Sequence, residues 1–229
     1  LVVNDIMPLS FSSEKSTRRV KPLNRVILSV LAHPDDESFG MGGTLSKYAQ
    51  SGAVVYLICA TRGEAGEVDP EYLQGFESIA ELREKELKCA INALGIQPPF
   101  LFNYRDSGMA GSKDNQDPRA LINASLEEVS KQIADIIREV KPQFILPFGP
   151  IGGYRHPDHI FIHQATTRAF ELAGSEDYVS DRPAYQPAGL FYHTIPRYFI
   201  RFNIKLLELL GRDPTKYGRN QDIDLTQMA

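Results

Sequence analysis

The sequence predicts an α/β protein, an open and mostly parallel sheet with helices on both faces, and two observations carry that prediction. Short, nearly continuous apolar runs rich in branched residues occur at Val26-Ile27-Leu28-Ser29-Val30-Leu31 and Ala53-Val54-Val55-Tyr56-Leu57-Ile58-Cys59. This is the pattern of strands buried on both faces, as in parallel sheets. Segments with helical spacing alternate with these runs. The first strand, helix and strand fit within about 35 residues, the size of a right-handed βαβ unit.

The elements follow in order. Thr44 to Gln50 reads as a helix, stopped near Ser51-Gly52 by a left-handed glycine. Ser78 to Leu94 carries Ile79, Leu82, Leu87, Ile91 and Leu94 near helical spacing and stops at Gly95. Phe100-Leu101-Phe102-Asn103-Tyr104 reads as a third strand. Pro118 to Val140 reads as one long amphipathic helix ended by Pro142, followed by a fourth strand at Phe144-Ile145-Leu146. Pro157 to Ala173 is a further helix, and Leu190-Phe191-Tyr192-His193 a fifth strand. Beyond about Tyr198 the pattern is less regular, with Leu206 to Leu210 as a short closing helix. Such alternation is the signature of a doubly wound α/β sheet.

Composition narrows the function classes. The 229 residues carry a formal charge of −4, which argues against a broad nucleic-acid surface. Cys59 and Cys89 are too few for a disulfide framework or a four-thiolate zinc site. No apolar run in Leu1 to Lys21 is long enough for a membrane span or a signal-peptide core, so a cytoplasmic location is expected. Residues 1–22, with Lys15, Arg18, Arg19 and Lys21, read as a flexible arm, and residues 23–229 as a single domain. Three of the five histidines, His156, His159 and His163, fall close together.

Ligands of open α/β sheets bind beyond the carboxyl ends of the strands. Four unusual polar clusters fall there: 32–37, 61–66, 105–108 and 152–159. The first holds His33 and three consecutive acids, Asp35, Asp36 and Glu37. Crowding carboxylates at a buried strand end is costly unless a cation neutralises them. Helix capping by Asp36 or Glu37 accounts for one or two of the acids but leaves His33 without a role. In the fourth cluster Pro157 suits the first turn of a helix, with His156 at the boundary and His159 one turn along. His33, Asp36 and His159 then form a two-histidine, one-carboxylate set fit for catalytic zinc, and equally for Fe(II). Zinc acidifies a water that it holds; Asp35 is placed as base, and His156, oriented by Asp158, as oxyanion stabiliser and acid. His163 and His193 receive no role.

His33-Pro34-Asp35-Asp36-Glu37 paired with His156-Pro157-Asp158-His159 resembles the LmbE-like, or PIG-L type, N-acetylglucosamine deacetylase superfamily. The resemblance runs from about Val26 to His193 and includes the Thr61-Arg62-Gly63-Glu64 loop. It implies a Rossmann-like fold and zinc-dependent removal of an N-acetyl group from a glucosamine derivative. It implies His33, Asp36 and His159 as metal ligands, Asp35 as general base, and His156, tuned by Asp158, facing the carbonyl. It also matches Tyr154 to a tyrosine that approaches the substrate carbonyl in some members. Arg105-Asp106-Ser107-Gly108-Met109-Ala110-Gly111 resembles the branch acting on glucosaminyl-inositol and mycothiol-type conjugates. Arg62, Glu64 and Asp106 are the expected sugar contacts. The expected partner is a small glycoconjugate, with no nucleic acid and no membrane span, and a homo-oligomer is compatible with the pattern.

Rival readings have weaker support. Gly40-Met41-Gly42-Gly43 lacks the spacing of a dinucleotide fingerprint and is followed by no GK[ST]. A non-catalytic sugar-binding member and an amidase cleaving a thiol-conjugate amide both stay open.

Overall fold

The computed structural model describes residues 25–218, 221 and 223–229. The expected arm, residues 1–22, lies outside the described residues. The chain builds β1 (Val26–Leu31), α1 (Asp36–Phe39), α2 (Gly42–Gln50), β2 (Val54–Thr61), α3 (Ile79–Leu94) and β3 (Phe100–Tyr104). The second half adds α4 (Leu126–Val140), β4 (Phe144–Pro147), α5 (Gly152–Arg155), α6 (Pro157–Gly174), β5 (Gly189–Leu190) and α7 (Arg197–Leu209). All strand pairs are parallel, in the order β3-β2-β1-β4-β5. Right-handed crossovers place α2 and α3 on one face and α4 and α6 on the other. The α/β prediction holds, and β1 lies at the centre of the sheet with Ile27, Leu28, Val30 and Leu31 buried, as expected of a strand covered on both faces.

The order reverses at β1. The chain moves outward through β2 and β3, then returns to β4 on the other side. That reversal opens a crevice between the carboxyl ends of β1 and β4, the usual ligand site of such sheets. Among the described residues no helix is long and apolar enough to cross a membrane.

Local signals explain most boundaries. Ser78 accepts a hydrogen bond from the Glu81 N–H to start α3, and Gly95, at φ 73°, ends it. Three expectations need correction. The helix predicted from Pro118 begins at Leu126, because Ser125 caps it by accepting from the Glu128 N–H. The residues before it instead form a turn and a short 3-10 helix, Leu121–Asn123. The fifth strand is reduced to Gly189–Leu190, extended by an isolated bridge between Phe148 and His193. The closing helix starts at Arg197, well before Leu206. It buries Ile200 but leaves Tyr198, Phe202 and Leu209 exposed, so apolar residues on two faces hide a single-stripe period.

Arg138 is the main polar tie on the α4–α6 face. Buried at the end of α4, it donates to the carbonyls of Leu172, Ala173, Ser175, Tyr178 and Arg182, at 2.6–3.3 Å. Its guanidinium also lies 4.8 Å from the Tyr178 ring centroid. A planar fork can serve this many carbonyls, and a cation is favourable at the C-terminal end of α6. Arg138→Ala is expected to cost about 3 kcal/mol by leaving these acceptors unpaired. For a chain of this size that corresponds to a drop of roughly 6–12 °C in Tm. Arg138→Lys should recover only a minor part, and an unchanged melting curve for either variant would disprove the assignment.

Candidate active site

The site is built at the ends of β1 and β4. Beyond β1 the chain turns sharply, with Asp35 at φ 117°, a strained value for a non-glycine residue. Glu37 supports this turn from beneath: buried at 1% exposure, it accepts from the Asp35 N–H at 3.0 Å and from Ser38 Oγ at 2.6 Å. Capping is therefore the role of Glu37. Asp36 accepts from the His33 N–H at 2.8 Å and turns its carboxylate toward two imidazoles.

After β4 the chain passes through positive φ at Gly152, Gly153 and Arg155 before entering α6. A Cβ on Gly152 would stand 2.8–3.0 Å from Ile160 and His159, so glycine is what lets this turn close onto α6. His156 caps α6, its Nδ1 accepting from the Asp158 N–H at 3.2 Å. His159 follows one turn later, stacked on Phe148 with ring centroids 3.8 Å apart.

These segments bring three donor atoms together. His33 Nδ1 lies 3.1 Å from His159 Nε2 and 3.5 Å from Asp36 Oδ2, and His159 Nε2 lies 3.4 Å from Asp36 Oδ1. Ligands of a tetrahedral zinc at 2.0–2.1 Å stand roughly 3.3 Å apart. The far side of each ring is already engaged. His33 Nε2 is 3.0 Å from Asp158 Oδ2, and His159 Nδ1 is 3.2 Å from the Gly152 carbonyl. With both rings neutral and donating outward, two ring lone pairs face each other beside a carboxylate, the arrangement that a metal cation would complete.

The electrostatics show the same demand for positive charge. Burial opposes charge on His33, but the carboxylates of Asp106, Asp158 and Asp36 hold its pKa well above the usual imidazole range, so without a metal a proton on His33 supplies that charge. Burial would raise the Asp36 carboxyl, yet His159 and His33 hold it down at about 2. Burial lowers His159 to about 4 and His156 to about 2, the latter with help from its histidine neighbours. His33, Asp36 and His159 could therefore hold a metal ion. His156 also reaches within 4.8 Å of His33 and His159, and with Nδ1 accepting from Asp158 a neutral ring carries its proton on Nε2.

Above the donor set opens a cleft of about 590 Å³. Asp35, Glu64, Asp106, Tyr154 and His156 line it. Asp35 is half-exposed; burial and the Asp36 carboxylate push it up to about 6, against the opposing pull of Arg83. Burial also raises the Tyr154 hydroxyl, keeping it a proton donor. Glu64 accepts from the Asp106 N–H at 3.1 Å, and Asp106 accepts from the Gly108 N–H at 2.8 Å.

Two expectations change. Arg62 does not line the cleft: its Nε lies 2.9 Å from Glu84 and its Nη2 donates to Asn103, drawing it toward α3 and β3. Asp158 does not orient His156 through its carboxylate, which is taken by His33 and Ser107; only its backbone N–H reaches His156.

Sequence reasoning missed Arg83, and it placed Arg105 and Ser107 in the 105–108 cluster without giving either a role. Arg83 reaches in from α3 to hold Asp35 at 2.5 Å and the carbonyls of Pro34 and Gly63. On α3 it reads as an ordinary exposed charge, and no local motif distinguishes it. The remaining histidines pack rather than line the cleft. His163 Nδ1 is 3.0 Å from the Phe148 carbonyl, and the His193 ring sits against Gly40.

Comparison with known proteins gives the same family from sequence and a related fold from structure. Over 167 residues the chain is 47% identical to a 1D-myo-inositol 2-acetamido-2-deoxy-alpha-D-glucopyranoside deacetylase of Kineococcus radiotolerans, covering 66% of this chain and 46% of that protein. The chain spans about half to two thirds of the length of such curated relatives. Among solved structures, the N,N'-diacetylchitobiose deacetylase of Pyrococcus horikoshii superposes with a TM-score of 0.59 at 22% identity, covering 81% of this chain and 69% of that one. GalB, a 4-carboxy-2-hydroxymuconate hydratase of Pseudomonas putida, superposes with a TM-score of 0.57 at 20% identity, covering 89% and 73%. At such identities the likeness is one of fold, and this fold carries more than one chemistry. The profile of the family described as "PIG-L: GlcNAc-PI de-N-acetylase" matches residues 28–170, so the chain belongs to the PIG-L family.

Proposed function

We propose that this chain is a zinc-dependent N-deacetylase that releases acetate from an N-acetylglucosamine derivative, with residues 23–229 as its single catalytic domain. The observation that carries the proposal is the set of His33, Asp36 and His159 donor atoms, 3.1–3.5 Å apart, beneath a polar cleft. Zinc bound there would polarise the acetamide carbonyl and acidify a water held beside it. The same donors suit Fe(II).

The chain's own residues supply the remaining steps. Asp35, half-exposed at the cleft wall and steadied by Arg83, takes the proton from the attacking water and passes it to the departing amine nitrogen as the C–N bond breaks. His156, kept neutral by burial and with its Nδ1 occupied, turns Nε2–H toward the developing oxyanion. The Tyr154 hydroxyl adds a second donor on the same side of the cleft. Glu64 and Asp106 face the sugar hydroxyls, for which carboxylates are good acceptors.

The name of the Kineococcus relative points to an inositol-linked glucosamine, and the charge around the cleft favours that class. Glu64, Glu67 and Asp106 line it, while Arg83 and Arg105 are engaged by Asp35 and Asp114 and Lys113 adds a cation at the rim. Such a surface suits a neutral polyol better than an aglycone bearing carboxylate or phosphate.

Purified protein is expected to hold about one zinc per chain by elemental analysis. His159→Ala should lose the metal, and a wild type that stays metal-free in excess zinc would end the proposal. Asp35→Asn should keep the metal while losing at least about 100-fold in kcat. Full activity in that variant would remove Asp35 from the mechanism. Acetate release from free, inositol-linked, malate-linked and oligomeric N-acetylglucosamine tests the substrate class. The inositol conjugate should exceed the malate conjugate by about tenfold or more in kcat/KM. Equal rates would discard the charge argument, and cleavage only of a thiol-conjugate amide would replace the deacetylase reading.

A further inference from the structure

We propose that Ser107 is a positioning residue, acting through Asp158 to set the orientation of His33 for metal binding. The inference rests on the metal reading of the site and extends it to a residue that touches neither donor set nor cleft sugar.

Ser107 lies in the turn after β3 and is fully buried, as is Asp158 in the first turn of α6. The Ser107 N–H donates to Asp158 Oδ2 at 2.9 Å and its hydroxyl to Oδ1 at 2.5 Å. The direction of that hydroxyl is fixed, because its oxygen already accepts from the Ile122 N–H at 3.2 Å. Its proton is therefore committed to Asp158. Both carboxylate oxygens are held from the β3 side, and Oδ2 is aimed at His33 Nε2, 3.0 Å away.

This arrangement settles a competition. Asp106 Oδ1 stands 3.4 Å from the same His33 nitrogen, a second acceptor for it. An imidazole that followed Asp106 instead would sit differently against Asp36 and His159. By anchoring Asp158 twice, Ser107 keeps the shorter contact dominant, which fixes the ring with Nδ1 beside Asp36 and His159. Outer partners of this kind commonly govern metal affinity as strongly as a poorly placed ligand would. The same carboxylate residue also caps toward His156 through its backbone N–H, so one anchor serves both histidines.

The test is zinc affinity, measured by competition with a chromophoric chelator, for wild type, Ser107→Ala, Asp158→Asn and the double variant. Ring nitrogen shifts of His33 are recorded by NMR in zinc-loaded and metal-free protein alongside. Ser107→Ala should weaken zinc binding by about 10–100-fold and shift the His33 Nε2 resonance as its hydrogen bond to Asp158 loosens. In the Asp158→Asn background the same substitution should cost much less, because Ser107 acts through that carboxylate. Unchanged affinity and Nε2 shift, or losses that simply add, would overturn the proposal, as would a loss of thermal stability with neither readout moved. Should Ser107→Ala not fold, Ser107→Cys, close in volume but a far weaker donor, carries the same comparison. If wild type binds no zinc the metal reading fails, and the His33 Nε2 shift in metal-free wild type against the variant decides the role of Ser107.

Discussion

The site depends on one contact: His33 Nδ1 and His159 Nε2, 126 residues apart in sequence, held 3.1 Å from each other. When both rings are neutral neither nitrogen satisfies the other, since each ring commits its one proton to an outward acceptor. Placing two lone pairs and the Asp36 carboxylate in one buried pocket is unfavourable without a cation, so the protein must hold them there by other means. The parallel pairing of β1 with β4 does so, with Ile27 opposite Phe144 and Val30 opposite Pro147. Paired on either side of the switch point, these strands end together, and the turns that follow deliver one histidine each.

The strain in the structure gathers at the same place. Asp35, Gly152, Gly153 and Arg155 all adopt positive φ in the two turns that carry the polar groups. Buried Glu37 stabilises one turn, and the close seating of Gly152 on α6 shapes the other. Backbone strain of this kind persists only where surrounding contacts overdetermine it, and here those contacts are the packed sheet and the cap of α6. The cleft above is looser and polar. Its arginines are neutralised by nearby acids, and this leaves carboxylates to set its character.

Much of the fold was legible because its signals are local. Buried strands are continuous apolar runs, Ser78 and Gly95 punctuate α3, and Pro157 opens α6. Where the signals were mixed, boundaries moved. Apolar periodicity extends back from α4 into residues that fold as turns, and only the Ser125 cap marks the true start. In α7 one apolar face packs and another is exposed, so the periodic pattern alone understated its length.

The sequence by itself determined the donor types and the arc of the sheet on which they stand: His33 and Asp36 after one strand, His156 and His159 about a cap. Spacing within each motif is set by backbone geometry over a few residues, which is why it can be read directly. Only the tertiary structure decided which partner each polar group takes. Arg62 turned to Glu84 and Asn103 while Arg83, on a helix 21 residues later, entered the cleft. Asp158 gave its carboxylate to His33 and Ser107, leaving His156 only a backbone N–H. A buried hydrogen bond is chosen by distance and direction among groups brought in from separate elements, and those relations do not exist until the sheet is assembled.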